Sequence, residues 1–134
     1  MNLRSWRKMK KIIIIFATLS LLFACDEVFD YNFCVKNLTD KEILVYYHTG
    51  NLIQNYWDTI SIEQNKQKQI YVEHAAGGRK LKGVDICIIF DTIFIKMDTI
   101  QSSIDFRKND TWEYRELSLD LGEYTLTIDS THFK

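Results

Sequence analysis

The sequence predicts an all-β fold in which a single domain packs two sheets against each other. Proline is absent from the 134 residues and only five are glycine, whereas β-branched and aromatic residues, which favour strands, are frequent. About eight short apolar segments follow one another at intervals of about 8 to 12 residues, a spacing typical of sandwiches and barrels. We therefore expect a sandwich of about 7 to 8 antiparallel strands, with a small barrel as the alternative.

Alternation of apolar and polar residues identifies the individual strands. It is regular from Phe29 to Val35, as expected of a strand with one buried face, whereas residues 43–48 are apolar enough on both faces for a central strand. The turn-forming residues Asn37 to Lys41 lie between these two strands and favour a hairpin. The other predicted strands are 57–63, 69–73, 100–106, 112–117 and 124–128.

The apolar stretch from Val84 to Met97 is too long for one ordinary strand, so we expect a bend near Asp91-Thr92 and two strands, preceded by a flexible loop over 75–83. In the last strand the alternation predicts that Tyr124, Leu126 and Ile128 face the core, whereas Thr125 and Thr127 face outward.

A strand, a polar turn and a second strand follow one another between Asp58 and Val72. The segment reads Asp58-Thr59-Ile60-Ser61-Ile62, then the turn, then Ile70-Tyr71-Val72. It resembles the strand-turn-strand segment of immunoglobulin-like and transthyretin-like modules. The resemblance implies a sandwich of one of these two kinds.

The N-terminal 24 residues have the three parts of an export signal. Five basic residues between Arg4 and Lys11 precede an apolar run over 12–23, and Leu22-Phe23-Ala24-Cys25 follows as a cleavage site. The run is shorter than the roughly 20 residues of a transmembrane helix. This ending resembles the lipobox of bacterial lipoproteins, which implies that a helical signal over 1–24 is removed and that Cys25 is acylated, for example with palmitate. Residues 25–29 are then a lipidated tether, and residues 30–134 form the sandwich domain. The alternatives for the N-terminal segment are an ordinary signal peptide or an uncleaved anchor, with Cys25 not lipidated.

The expected mature chain is acidic. All five basic residues of the signal leave with it, so residues 25–134 keep 12 Lys and Arg against 18 Asp and Glu, a formal charge of −6. Nucleic-acid binding relies on clustered basic side chains that neutralise phosphates. The composition therefore argues against a nucleic-acid partner.

The whole chain also resembles small lipoproteins of the Bacteroidetes. The resemblance rests on Cys25-Asp26-Glu27, on Asp30 to Val35 and on Asn37 to Asp40. It implies an outer-membrane lipoprotein that faces the periplasm or the cell surface, since the two acidic residues resemble surface-export signals. In enterobacteria an Asp after the cysteine favours retention at the inner membrane, so the choice of membrane stays open.

Two cysteines remain after Cys25. Cys34 and Cys87 both fall in predicted strands, and an oxidising compartment would allow a disulfide between them if those strands were neighbours. Two unpaired thiols are the alternative. Neither cysteine has a neighbouring residue in the sequence that would stabilise a catalytic thiolate.

The tripeptide Asp-Thr-Ile occurs three times, and Asp129-Ser130-Thr131 is similar. These sites resemble the O-glycosylation sequon of exported Bacteroidetes proteins, which implies modification at one or more of Thr59, Thr92, Thr99 and Ser130. A structural explanation is equally available, because Asp suits turns and Thr-Ile suits the start of a strand.

No sequence pattern announces catalysis, a metal or a cofactor. The histidines His48, His74 and His132 are dispersed, and the chain lacks HExxH, CxxC, Gly-x-Ser-x-Gly and phosphate-loop motifs. Seven aromatic residues could pack in the core or form a binding surface for a protein or glycan: Tyr46, Tyr47, Tyr56, Trp57, Tyr71, Trp112 and Tyr114. We therefore expect a non-enzymatic, lipid-anchored binding or structural module of the cell envelope. The alternatives are a small inhibitor or immunity-type lipoprotein that neutralises a toxin or hydrolase, and an envelope enzyme.

Overall fold

The computed structural model describes residues 28–50, 57–76 and 84–134 and confirms the predicted all-β sandwich. The signal segment 1–24 and Cys25 lie outside the described residues. Eight strands and one short helix are present in the described part: β1 (Val28–Asn37), β2 (Ile43–Thr49), β3 (Trp57–Ile62), β4 (Gln67–Ala76), α1 (Ile86–Ile89), β5 (Phe90–Met97), β6 (Ile100–Gln101), β7 (Trp112–Ser118) and β8 (Leu121–Ile128). Short 3-10 turns cover Asn109–Thr111 and Ser130–Phe133.

The strands form two sheets of four. The first sheet has the order β4-β1-β8-β7, and the second has the order β3-β2-β5-β6. Most neighbours are antiparallel, but β1 and β8 are parallel, so the prediction of a wholly antiparallel sandwich was wrong at this pair. A parallel pair needs a long connection between its strands. Here the entire second sheet lies between β1 and β8 in the chain.

The predicted hairpin of β1 and β2 was also wrong. The two strands belong to different sheets, because the turn formers Asn37 to Lys41 carry the chain across from the first sheet to the second. β1 starts at Val28, two residues before the expected start of the domain. β4 continues to Ala76, and the rest of the predicted loop, 77–83, lies outside the described residues.

The segment from Val84 to Met97 differs from its prediction as well. Its break is the helix α1, four residues long, and a single strand, β5, follows it, so the second predicted strand is absent. The expected irregularity near Asp91-Thr92 is present as a shift of register, because His48 pairs with Thr92 and Thr49 with Phe90, which leaves Asp91 as the extra residue. The Asp85 side chain accepts a hydrogen bond from the Cys87 main-chain N and so caps α1. Of the predicted strand 100–106 only Ile100–Gln101 is formed.

The core is aromatic and centres on Phe33, which is fully buried. Its ring lies 5.3 Å from those of Phe90 and Tyr124 and 5.8 Å from that of Trp112, measured between centroids. These rings come from both sheets, so the pairing of the sheets rests on them. Alternation is confirmed in β8, where Tyr124, Leu126 and Ile128 are buried, Thr125 is half-buried and Thr127 is exposed.

Candidate functional site

Aromatic side chains cover the outer surface of the second sheet. Register places His48 beside Trp57 and Thr92, and Tyr46 beside Thr59 and Phe94, all on the side of the sheet that faces away from the core. We call the four rings of Tyr46, His48, Trp57 and Phe94 the aromatic face. Alternation explains it, since the intervening Val45, Tyr47 and Ile93 are buried.

The rings of the aromatic face hold one another in two stacked pairs. Trp57 and His48 stack with centroids 4.8 Å apart and an interplanar angle of 29°, and Tyr46 and Phe94 stack at 4.8 Å and 10°. The Lys96 ammonium lies 5.2 Å from the Tyr46 ring centroid, within the range of a cation-π contact. Trp57 nevertheless remains 63% exposed, although tryptophan is usually largely buried.

His48 connects the stack to a carboxylate. Its Nδ1 lies 3.4 Å from Asp91 Oδ2, and its side chain is only 15% exposed, so the imidazole supports the indole from beneath. Gly50 keeps this arrangement possible, because a Cβ at that position would lie 2.5 Å from Asp91 Oδ1. The support limits the rotamers of Trp57 before any ligand arrives.

A polar groove adjoins the aromatic face along β5. It encloses about 450 Å³ between β5 and the segment 101–107, and it is lined by side chains that include Thr92, Phe94, Gln101, Asp105 and Arg107. The segment is fixed by two hydrogen bonds: Ser102 N donates to Ile95 O, and Trp112 Nε1 donates to Phe106 O.

An ion pair lines one part of this groove. Arg107 Nε and Nη2 donate to the two carboxylate oxygens of Asp105 at 3.0 and 3.1 Å, and Nη1 donates to the main-chain O of Asp91 at 3.2 Å. The side-chain hydrogen bonds from Arg107 lower the pKa of the Asp105 carboxyl. The groove therefore offers fixed charged donors and acceptors beside exposed rings.

The outer surface of the first sheet differs in character. Asp30, Asn32, Lys36, Arg115 and Glu123 are on this side, and Arg115 Nη2 lies 3.4 Å from Glu123 Oε1. The contrast singles out the second sheet as the surface with apolar rings available to a ligand.

The two remaining cysteines are free in the structure, so the disulfide considered from the sequence is not formed. Cys34 lies in the strand β1, as predicted, and is buried, with its Sγ 3.6 Å from Glu123 Oε2. Cys87 is exposed on the helix α1, so its predicted position in a strand was wrong. Desolvation by burial, followed by the charge of Glu123, raises the pKa of the Cys34 thiol to about 11. Such a thiol is protonated and inert at neutral pH.

The predicted glycosylation residues lie at separate places. Thr59 is exposed on β3, Thr99 is exposed in the turn after β5, and Ser130 is exposed at the start of a 3-10 turn, whereas Thr92 is half-buried on β5. Asp58 accepts a hydrogen bond from Tyr47 Oη at 3.0 Å, and Asp98 pairs with Lys41 Nζ at 2.6 Å. Modification of these residues stays a prediction.

Each histidine lies beside an aspartate. The Nδ1 atoms of His74 and His132 are 2.7 Å from Asp30 and 3.0 Å from Asp129, besides the His48 contact. His132 serves the capping box of the last 3-10 turn. Across ranges 28–50, 57–76 and 84–134, no group of three or more His, Cys, Asp or Glu residues is placed to hold a metal ion. Nor does any described helix have the length and apolarity to cross a bilayer.

Sequence reasoning identified Tyr46 and Trp57 among seven aromatic candidates and missed His48, Phe94 and the groove. Tyr47, Tyr71 and Trp112 are core residues, and Tyr56 lies outside the described residues. The signal that could have found the face is alternation, because Tyr46 and His48 share one side of a strand, as do Thr92, Phe94 and Lys96.

Comparison with known proteins shows a similarity to part of an enolase. Over 91 residues the chain is 37% identical to an enolase of Streptococcus thermophilus, and the aligned part covers 68% of this chain and 21% of that enolase. The chain thus spans about a fifth of the length of the relative that it matches, which shows neither a family nor an activity for this chain. No protein-family model matches the chain, and no solved structure matches it.

Proposed function

We propose that this chain is a lipid-anchored, non-enzymatic module of the cell envelope that binds a glycan on the aromatic face and in the adjoining groove. The exposed indole of Trp57, supported by His48 and Asp91, is the observation that carries this proposal. The lipid anchor rests on the signal-like residues 1–24 and on Cys25.

Sugar chemistry fits both parts of the surface. The C–H groups on one side of a pyranose ring pack against an aromatic ring, while the hydroxyl groups at its rim need donors and acceptors. Trp57 and Tyr46 supply rings, and the groove supplies the Asp105 carboxylate, the Gln101 amide and the Thr92 hydroxyl. The β-sheet beneath holds the rings in fixed positions, so little conformational entropy is lost on binding.

Anchoring is tested by fractionation of cells that express the full chain. We expect Cys25→Ser to release the protein from the membrane fraction or to block its processing. Mass spectrometry of the wild-type chain should find acyl chains on Cys25. Stable membrane attachment without a lipid would contradict this part of the proposal.

Binding is tested by calorimetry with polysaccharide fractions from the envelope and the detergent-solubilised full chain. Truncation of an aromatic side chain at the centre of a binding surface commonly raises the Kd about tenfold or more. We therefore expect Trp57→Ala and Tyr46→Ala each to raise the Kd for the glycan by at least about tenfold. Glu113→Ala, an exposed position on the outer side of the first sheet, is the matched control. Equal affinity in all variants would contradict the proposal, and tight capture of a single protein effector would favour the inhibitor alternative.

A further inference from the structure

The most exposed aliphatic side chains gather at one end of the sandwich. Leu119 is 83% exposed, Ile88 is 70% exposed and Val28 is 52% exposed, the highest values among the large aliphatic residues described. Single exposed apolar residues are normal, whereas a group of them marks a contact surface. We call these three residues the apolar end.

Local contacts place the three residues at the same end of the sandwich. Val28 begins β1, and Asp30 N donates to Asp120 O at 2.8 Å, so the turn that carries Leu119 lies beside that beginning. Ile88, on α1, lines an apolar pocket of about 300 Å³ with Tyr31 and Ala75. Ala75 pairs with Phe29 in the sheet, and Phe29 and Tyr31 are one and three residues from Val28 along β1. The pocket therefore lies close to Val28.

The tether is too short to hold this end away from a membrane. Cys25 precedes Val28 by three residues, and an extended chain advances at most about 3.6 Å per residue, so the two Cα atoms are at most about 11 Å apart. Acyl chains on Cys25 would lie in the hydrocarbon of the bilayer. The start of β1 would then lie at the headgroup region.

We propose that Val28, Ile88 and Leu119 insert into the interfacial region of the bilayer and seat the domain on the membrane in one orientation. The inference rests on the proposed lipid anchor. Insertion removes these side chains from water, which is favourable, whereas the nearby Asp30, Asp85 and Asp120 remain at the headgroups. Because anionic headgroups would repel these carboxylates, insertion does not depend on anionic lipids. Vesicles of phosphatidylcholine, which has no net charge, are therefore sufficient.

The experiment uses the full lipidated chain in phosphatidylcholine vesicles, with and without bromine on the upper part of the acyl chains. Leu119→Cys in a Cys87→Ser background carries an environment-sensitive fluorophore, because the buried Cys34 does not compete for the label. The matched control is Gln64→Cys in the same background, an exposed turn residue between β3 and β4. Since interfacial side chains reach about 5–10 Å into the acyl boundary, brominated lipid should quench the label at 119 at least about twofold more than the label at 64.

Flotation separates the two possible failures. If the protein floats with the vesicles and both labels are quenched equally, the proposed insertion is wrong while the anchor stands. If the protein does not float, the anchor and the insertion are both wrong. Protection of the label at 119 from aqueous iodide without quenching by brominated lipid would show that a second protein copy covers this end, which also overturns the proposal.

Discussion

The side-chain amide of Asn37 donates a hydrogen bond to the main-chain O of Ile62 at 3.0 Å and thereby joins the end of β1 to the end of β3 in the opposite sheet. The same Nδ2 donates to Lys41 O at 2.7 Å, and Oδ1 accepts from Thr39 N and Thr39 Oγ1. Asn37 is fully buried, so its amide satisfies main-chain groups that water does not reach. It fixes the crossing of the chain between the two sheets.

Replacement of Asn37 should therefore be costly. Asn37→Ala leaves the buried Thr39 N without its acceptor and removes a buried donor from Ile62 O, whereas Lys41 O keeps the Thr39 hydroxyl as a partner. A buried group without a partner costs about 1–3 kcal/mol, so we expect a loss of about 2 kcal/mol in the free energy of unfolding. Asp40→Ala, an exposed change in the same turn, should cost less than about 0.5 kcal/mol. Urea titration of both variants measures the difference. Similar midpoints would contradict the role given to Asn37.

The register of β8 gives a second stability prediction. Leu126 is 1% exposed, so Leu126→Ala should reduce the free energy of unfolding by about 2–5 kcal/mol. Thr127→Ala, next to it on the exposed side, should cost less than about 0.5 kcal/mol. Equal losses in a denaturant titration would show that the register is wrong.

Thiol chemistry provides a third prediction. In the lipidated chain Cys25 has no free thiol, and of the other two cysteines only Cys87 is exposed. A hydrogen bond to Asp85 raises the pKa of the Cys87 thiol, but its exposure should make it the one thiol that reacts readily with a thiol reagent at about pH 8. Cys34 is buried, and with a pKa of about 11 roughly one molecule in a thousand carries its thiolate at that pH.

Thiol counting by absorbance checks this prediction. We expect one reactive thiol in the native protein and two in denaturant without a reductant. Cys87→Ser should abolish the fast reaction, whereas Cys34→Ser should leave it unchanged. A count of zero in denaturant would reveal a Cys34–Cys87 disulfide and contradict the free thiols of the structure.

Local patterns in the sequence predict the strands and their buried sides, but not their partners. The alternation from Phe29 to Val35 is the same whether β1 pairs with β2 or with β4 and β8, and the residues Asn37 to Lys41 suit a hairpin and a crossing between sheets equally. The outcome depends on the distant carbonyl of Ile62, which no local pattern shows.

The helix α1 was missed for a different reason. Ile86 and Ile89 are buried while Cys87 and Ile88 are exposed, a spacing that fits a helical turn, and Asp85 is a suitable N-cap. In a run of β-branched residues this short signal was outweighed by strand propensity.

The candidate site could be predicted only in part. The excess of aromatic residues indicated that some would lie on the surface, but the pairing of His48 with Trp57 and of Tyr46 with Phe94 follows from strand register. Register is set by tertiary packing, so the aromatic face becomes visible only in the folded chain.

The most direct test of the proposed binding surface is quenching of tryptophan fluorescence by acrylamide with and without glycan. From Cys25 onward the chain has two tryptophans, Trp57, which is 63% exposed, and Trp112, which is 6% exposed and serves as an internal reference. Our account predicts that a bound glycan protects the accessible fraction in a saturable manner and that Trp57→Phe removes this protected fraction. A glycan that binds with unchanged acrylamide quenching of Trp57 would contradict the assignment of the aromatic face.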